Sequence, residues 1–497
     1  PSKYVLLDWI DKDKLHWYWL SRNPNAIDLL EENYYNIYWV ELSINPNAIE
    51  LLKKRIEYEK TLIDKELDES EIKIDWKELS TNPNAIELLK KNQDKIVWKY
   101  LSANPNAIDL LKERIKYEKS LTNEELDELE NKIDWVELSI NPNAIELLKD
   151  RIKYEKSLTN EELDELENKI DWEELSTNPN AIDLLKERIK YEKSLTNEEL
   201  DELENKINWK WLSRNPNAIN LLKANPNKIN WIKLSTNPNA IDLLKERIKY
   251  EKSLTNEELD ELENKIKWDY LSENPNAIEL LKDRIKYEKS LTNEELDELE
   301  NKIDWEELST NPNAIDLLKE RIKYEKSLTN EELDELENKI NWKWLSRNPN
   351  AINLLKANPN KINWIKLSTN PNAIDLLKER IKYEKSLTNE ELDELENKIK
   401  WDYLSENPNA IDLLKKNQDK INWEFLSTNP NAIDLLKQRI EYENNLTKTQ
   451  YNNLKKLDKI DWYYLSSNPN AIDLLKENQD KIDWKMLTLN PSIFKAV

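Results

Sequence analysis

Few residue types in this chain could do chemistry. There is one histidine, His16, with no cysteine and no glycine, so thiolate nucleophiles, thiolate metal sites and histidine-centred triads have nothing to build on. Without glycine there is no phosphate-cradling loop, dinucleotide turn or Gly-x-Ser-x-Gly elbow. Left-handed positions at helix ends would fall to asparagine. Carboxylates remain, running together in Glu124-Glu125-Leu126-Asp127-Glu128-Leu129-Glu130 and its copies. They lack the glycine turn and ligand spacing of a calcium loop, and a solvated helix face accounts for them. His16 stands where Asp or Asn usually opens a helix, and reads as structural. Catalysis would have to rest on carboxylates that recur in every copy without a distinctive constellation, so a non-enzyme with no cofactor and no metal is expected.

Aromatic residues are the other candidates. Sixteen tryptophans, from Trp17 and Trp39 to Trp462 and Trp484, hold one position of a repeated segment. They could stack bases or grip peptides, but a core indole burying ~150–250 Å² explains the position without a ligand. The position two residues later varies. It is Trp19, Tyr100, Trp211, Tyr270, Trp344, Tyr403, Phe425 or Tyr464 in some repeats, and Glu41, Glu78, Glu137, Glu174 or Glu307 in others. Where it is tryptophan, an arginine follows one turn on, pairing Trp19 with Arg22, Trp211 with Arg214 and Trp344 with Arg347. Each such cation–π pair would contribute ~0.5–1 kcal/mol. These eight aromatics and three arginines form the candidate partner surface; packing at a repeat boundary accounts for them equally.

The elements that position these residues follow from two motifs. Asn82-Pro83-Asn84-Ala85-Ile86 occurs at fifteen sites and returns as Asn-Pro-Ser-Ile at Asn490 to Ile493. Proline fits the first position of a helix, and the residue before it is driven from the α region. Asn82 is therefore expected to cap a short helix carrying Ala85, Ile86, Leu88 and Leu89. Upstream, Ile74-Asp75-Trp76 followed by Leu79-Ser80 predicts a second helix. Asp75 is its cap, Glu78 completes a capping box, and Ile74 and Leu79 form a staple. Neither helix is long enough to persist alone, so stacking must stabilise both.

The motif prolines are spaced by 22 or 37 residues, once by 39, which makes sixteen repeats. In long repeats the second helix continues through Arg114-Ile115-Lys116-Tyr117-Glu118-Lys119, and Thr122 with Glu125 forms a further capping box for a third helix ending near Asn131. Residues 141–278 recur unchanged as 274–411, so likeness between those copies reflects duplication rather than constraint. The expected fold is all-α: an α-solenoid of about sixteen two-helix units, the longer ones with an inserted helical hairpin. An N-terminal cap and first helix would occupy 1–22, the tandem array 23–485, and a C-terminal cap or truncated unit 486–497. A leucine-rich repeat is the rival fold, but it needs an apolar residue where Lys77, Lys99, Glu173 and Lys210 stand.

The pattern Ile-x-Trp, then Leu-Ser-x-Asn-Pro-Asn-Ala-Ile-x-Leu-Leu, then a turn such as Asn-Gln-Asp-Lys-Ile, resembles tandem-repeat proteins of unknown function encoded by giant viruses of algae and protists. The resemblance implies a viral repeat protein located in host cytoplasm or virion, and carries no catalytic or binding residue. Formal charge is −24, from 75 basic and 99 acidic residues, and the two signs alternate within each repeat, which disfavours a nucleic-acid partner. The sequence has no run of eighteen apolar residues, so no membrane partner is expected. The function expected is a repeat scaffold for protein–protein interaction, with self-assembly into a virion, fibre or other multimeric structure as the alternative.

Overall fold

The computed structural model describes residues 3–62 and 73–497. About 62 % of the structure is helical, and the all-α repeat solenoid is what forms. Each repeat has a leading helix starting at the motif tryptophan, as in Trp76–Thr81, and a following helix starting at the motif isoleucine, as in Ile86–Lys90. Within each body leading helices of neighbouring repeats lie against one another, as Trp76–Thr81 against Trp98–Ser102 and Trp305–Thr310 against Trp342–Arg347. The apolar motif residues supply the core: Leu79, Ala85 and Leu89 are fully buried.

The chain divides into two compact bodies. One comprises Pro1–Leu7, His16–Leu243 and Phe494–Val497, and the other Asp8–Leu15 and Leu244–Ile493. Within the first body, strand Tyr4–Leu6 pairs antiparallel with Phe494–Ala496, Val5 opposite Lys495. Within the second, the Lys14 ammonium lies 5.2 Å from the ring centre of Trp484.

The Asn-Pro-Asn-Ala element does not start a helix as expected. Asn82 flanks the end of the leading helix, and Pro83 and Asn84 sit in a turn closed by Ala85 N–H on Asn82 C=O at 3.2 Å. The following helix takes Ala85 as its N-cap, with no side-chain cap bond. Asn82 Oδ1 still accepts from an N–H two residues on, Asn84 at 3.0 Å, but that bond makes an Asx turn. The other end of the side chain shows why this orientation wins. Asn82 Nδ2 donates to the carbonyls of Ser43 and Asn45 in the preceding repeat, both at 3.0 Å. Asn84 Nδ2 adds a bond to Pro46 C=O at 2.9 Å.

The same bonds recur along each body, from Asn45 through Asn141 to Asn237 in the first and from Asn311 through Asn370 to Asn490 in the second. At these six positions the asparagine is at most 2 % exposed. Buried carbonyls need donors, and this amide supplies two to each neighbour.

The motif serine adds a second link. Ser43 Oγ donates to Trp39 C=O at 2.7 Å and accepts from Asp75 N–H, the next repeat's cap residue, at 3.1 Å. Asp75 does cap its helix, accepting from Lys77 and Glu78 N–H. The expected capping box with Glu78 is absent because Ser43 already engages the N–H it would use. Where no serine competes the box forms, at Thr122 with Glu125 and at its copies.

No described residue has a positive φ, so the expected left-handed asparagine does not arise. Helix Ile86–Lys90 ends instead at Lys91 in the right-handed region, and Asn92, at φ −136 and ψ 49, leads into the 3-10 turn Gln93–Lys95.

Long repeats carry the expected hairpin: Ile108–Lys119 followed by Asn123–Glu128. The third helix stops short of Asn131, whose side chain reaches back to its own repeat. It donates to Ile96 C=O at 2.6 Å and accepts from Trp98 N–H at 2.9 Å. In the repeat of Pro46 the hairpin expected after Leu62 lies outside the described residues.

Candidate functional site

Burial of the motif tryptophans depends on the insertion. In long repeats Trp39, Trp98, Trp135, Trp172, Trp231, Trp268, Trp305, Trp364 and Trp423 are 2–6 % exposed. In short repeats and the last one, Trp17, Trp76, Trp209, Trp342, Trp401, Trp462 and Trp484 are only half-buried. The difference is a lid of arginine. The Arg151 guanidinium lies between the rings of Trp135 and Tyr154, 4.6 and 4.9 Å from their centres. Its Nε bonds Glu155 at 2.9 Å and its Nη2 donates to Asn168 C=O at 2.8 Å. Glu155 in turn accepts from Ile170 N–H at 3.0 Å, tying the hairpin to the next repeat.

Burial pushes the carboxyls of Glu155 and Glu288 above the ordinary carboxylate range, and it outweighs the opposing pull of Arg151 and Arg284. In the sequence such a pair reads as a solvated i, i+4 contact. The signal that was missed is that this arginine occurs in long repeats alone.

The candidate partner residues lie on the leading helices and contact neighbouring repeats. Trp211 and Trp344 are half-buried. The Trp211 Nε1–H donates to Glu173 and that of Trp344 to Glu306, each at 3.0 Å. Arg214 and Arg347 lie over those rings at 5.8 and 5.6 Å. The third expected pair differs: Arg22 meets Glu41 of the next repeat at 3.1 Å, while Trp19 packs edge-on against Tyr18. Glu41 is nearer an ideal partner for a guanidinium than an indole is, because the contact is between opposite charges.

Tyr100 and Tyr403 lie under Lys77 and Lys366, at 4.8 and 5.9 Å, and Tyr270 is half-buried. Tyr403, Phe425 and Tyr464 occupy the same helix position in three consecutive repeats of the second body, with Tyr464 38 % exposed. His16 is the N-cap residue of helix Trp17–Arg22.

A groove between consecutive hairpins was not anticipated. In the first body a cavity of about 590 Å³ opens where the hairpin of one long repeat faces that of the next. Ile115, Leu121, Leu126 and Leu166 line it, with edges of Trp135 and Tyr154. Asp127, Glu165 and Glu167 stand at its margin, exposed. Helix Asn123–Glu128 has no buried residue, and its one leucine, Leu126, is only half-buried. The spacing of Leu126 and Leu129 showed an amphipathic face in the sequence, but not what lies opposite it. A second, polar cavity of about 330 Å³ in the second body is lined by Lys267, Asp269, Asp304 and Glu306, among others.

Among the described residues no group of three or more His, Asp or Glu side chains is disposed to hold a metal ion. Nor is any described helix long and apolar enough to cross a membrane. Comparison of the chain with protein-family models, with curated proteins and with solved structures finds no match.

Proposed function

We propose that the protein is a non-enzymatic repeat scaffold that binds another protein along its row of leading helices. The observation that carries this reading is a division between fixed and variable positions. The recurrent Asn, Ser, Ala and Leu residues, such as Asn82, Ser80, Ala85 and Leu89, are buried in bonds and packing between repeats. The position two after the tryptophan changes from repeat to repeat and keeps part of its surface in water. Aromatic and arginine side chains at partly exposed positions are those that dominate protein interfaces. The run Tyr403, Phe425 and Tyr464 offers three such anchors side by side. The motif resemblance supports a giant-virus origin, with the host cytoplasm or the virion as the place of action.

The test is affinity capture from host-cell lysate, comparing the wild-type chain with a variant carrying Trp344→Glu, Tyr403→Glu and Tyr464→Glu. The reading expects a protein retained by wild type and lost by the variant, with the circular dichroism of both unchanged. Equal capture by both would remove these aromatics as the contact surface. Sedimentation velocity separates the alternative: growth into large assemblies as concentration rises would favour an architectural role.

A further inference from the structure

Resting on the scaffold reading and deepening it, we infer that the groove between consecutive long-repeat hairpins holds an extended segment of a partner protein that carries apolar side chains interleaved with lysine or arginine. The groove of about 590 Å³ is within the size range of ligand sites, about 300–1,000 Å³. About half of its lining is apolar, and that part is incomplete: Leu126 and Leu166 are half-buried at the cavity. An apolar side chain entering there would bury that surface at ~25 cal/mol per Å².

The margin sets the charge of the occupant. Asp127, Glu165 and Glu167 are exposed and none is in an ion pair, while Arg151 and Glu118 in the wall are already paired internally. The remaining basic lining residues are Lys119 and Lys132, and Lys132 keeps its charge while donating to Leu126 C=O. Three unpaired carboxylates against these two ammonium groups leave the groove net negative by one, and the whole chain carries −24. A cationic partner gains from this field, whereas a nucleic acid is repelled by it.

Repetition argues for a polymer rather than a small molecule. The lining residues Ile115, Leu121, Leu126 and Trp135 return as Ile152, Leu158, Leu163 and Trp172 at the next junction. The second body has the same succession at Leu259 with Trp268 and at Leu296 with Trp305. Adjacent junctions are one helix layer apart, ~8–10 Å. That is one turn of extended polyproline-II chain, three residues at ~3.1 Å each, which returns every third side chain to the same face, so apolar anchors at every third residue fit successive grooves.

The experiment is fluorescence anisotropy on the full chain with three twelve-residue labelled peptides, repeating Leu-Lys-Lys, Ser-Lys-Lys or Leu-Glu-Glu. Two variants accompany it: Leu126, Leu163, Leu259 and Leu296 each to Ser, and Asp127, Asp164, Asp260 and Asp297 each to Lys. The Asp set lies on exposed positions, so it keeps the test valid if the Leu set unfolds. The inference expects Leu-Lys-Lys to bind at least ten-fold tighter than either other peptide, and the Asp variant to lose at least ten-fold of that affinity. Equal binding of Leu-Lys-Lys and Ser-Lys-Lys would mean bulk charge attraction alone and would overturn it, as would an unchanged Asp variant. Either failure leaves the scaffold reading standing if aromatic-dependent capture persists; loss of that capture alone removes the reading without touching the peptide result.

Discussion

Replacing Asn141 by alanine removes one rung of the ladder between repeats. Three bonds go with it: Nδ2 to Ser102 C=O at 2.9 Å, Nδ2 to Asn104 C=O at 3.1 Å, and Asn143 N–H to Oδ1 at 3.0 Å. The Ser102 carbonyl has no helical replacement, because Asn106 N–H, its i+4 partner, is engaged by Asn104 Oδ1 at 3.1 Å. Asn141 is 1 % exposed, so water does not readily substitute. At ~0.5–1.5 kcal/mol per bond the three bonds together centre on about 3 kcal/mol, or about a hundred-fold in a local opening constant, and a carbonyl left unpaired adds to that. In a repeat array the damage falls on one interface rather than on the whole chain.

Native-state hydrogen exchange resolves this, since it reads opening free energies amide by amide. Amides of Leu138 and Leu148 should lose about two decades of protection, and those beside Asn45 should not change. Asn143→Ala, which removes an exposed bond to Pro105 C=O at 2.9 Å, should cost less than ~1 kcal/mol. If the two variants behaved alike, or Asn141→Ala changed protection less than three-fold, the ladder would not be what joins the repeats.

Three further outcomes follow from the same geometry. Arg151→Met leaves the buried Glu155 carboxylate without its ion pair, and should destabilise by ~3–5 kcal/mol in urea titration; adding Glu155→Gln should recover much of that. On acidification the hairpin caps should fail first. Glu125, Glu162, Glu199, Glu258, Glu295, Glu332 and Glu391 are held below the ordinary carboxylate range, chiefly by the N–H of their capping threonine. A lowered folded-state pKa gives stability that is present above the unfolded value, about 4.3, and is lost as pH falls through the lowered one. The buried Glu118, Glu155, Glu251, Glu288 and Glu443 are raised by burial and act in the opposite sense, their contribution being full below the unfolded value and lost as pH rises. Limited pepsin digestion at stepped pH should therefore cut within Asn123–Glu128 and its copies before it cuts leading helices. Acrylamide should quench the indoles of short repeats, such as Trp209 and Trp342, and spare Trp135 and Trp305, as read by single Trp→Phe difference spectra.

Most of the architecture was legible in the chain itself because repeat length, helix period and caps are local. Asp75, Thr122 and Glu125 behave as their positions imply. The role of Asn-Pro-Asn was not legible. An N-cap and an Asx turn share one local signature, and the deciding bonds from Asn141 run to residues 39 and 37 positions earlier. The Trp–Arg–Tyr stack was hidden for a related reason: Arg151 and Glu155 look like any surface pair until Asn168 and Ile170 close over them. The candidate aromatic positions could be named from their variation between repeats, but not that Trp211 and Trp344 would bond Glu173 and Glu306 of the neighbouring repeat.

Within each body, an asparagine side chain of each repeat that follows another bonds the repeat before it. Selective ¹⁵N-asparagine labelling with proton exchange on side-chain amides reads this directly. The account predicts two classes: slowly exchanging NH₂ groups from ladder positions such as Asn141 and Asn178, which have both protons in bonds, and fast ones from positions such as Asn143. A single class exchanging at the rate of free asparagine would contradict it.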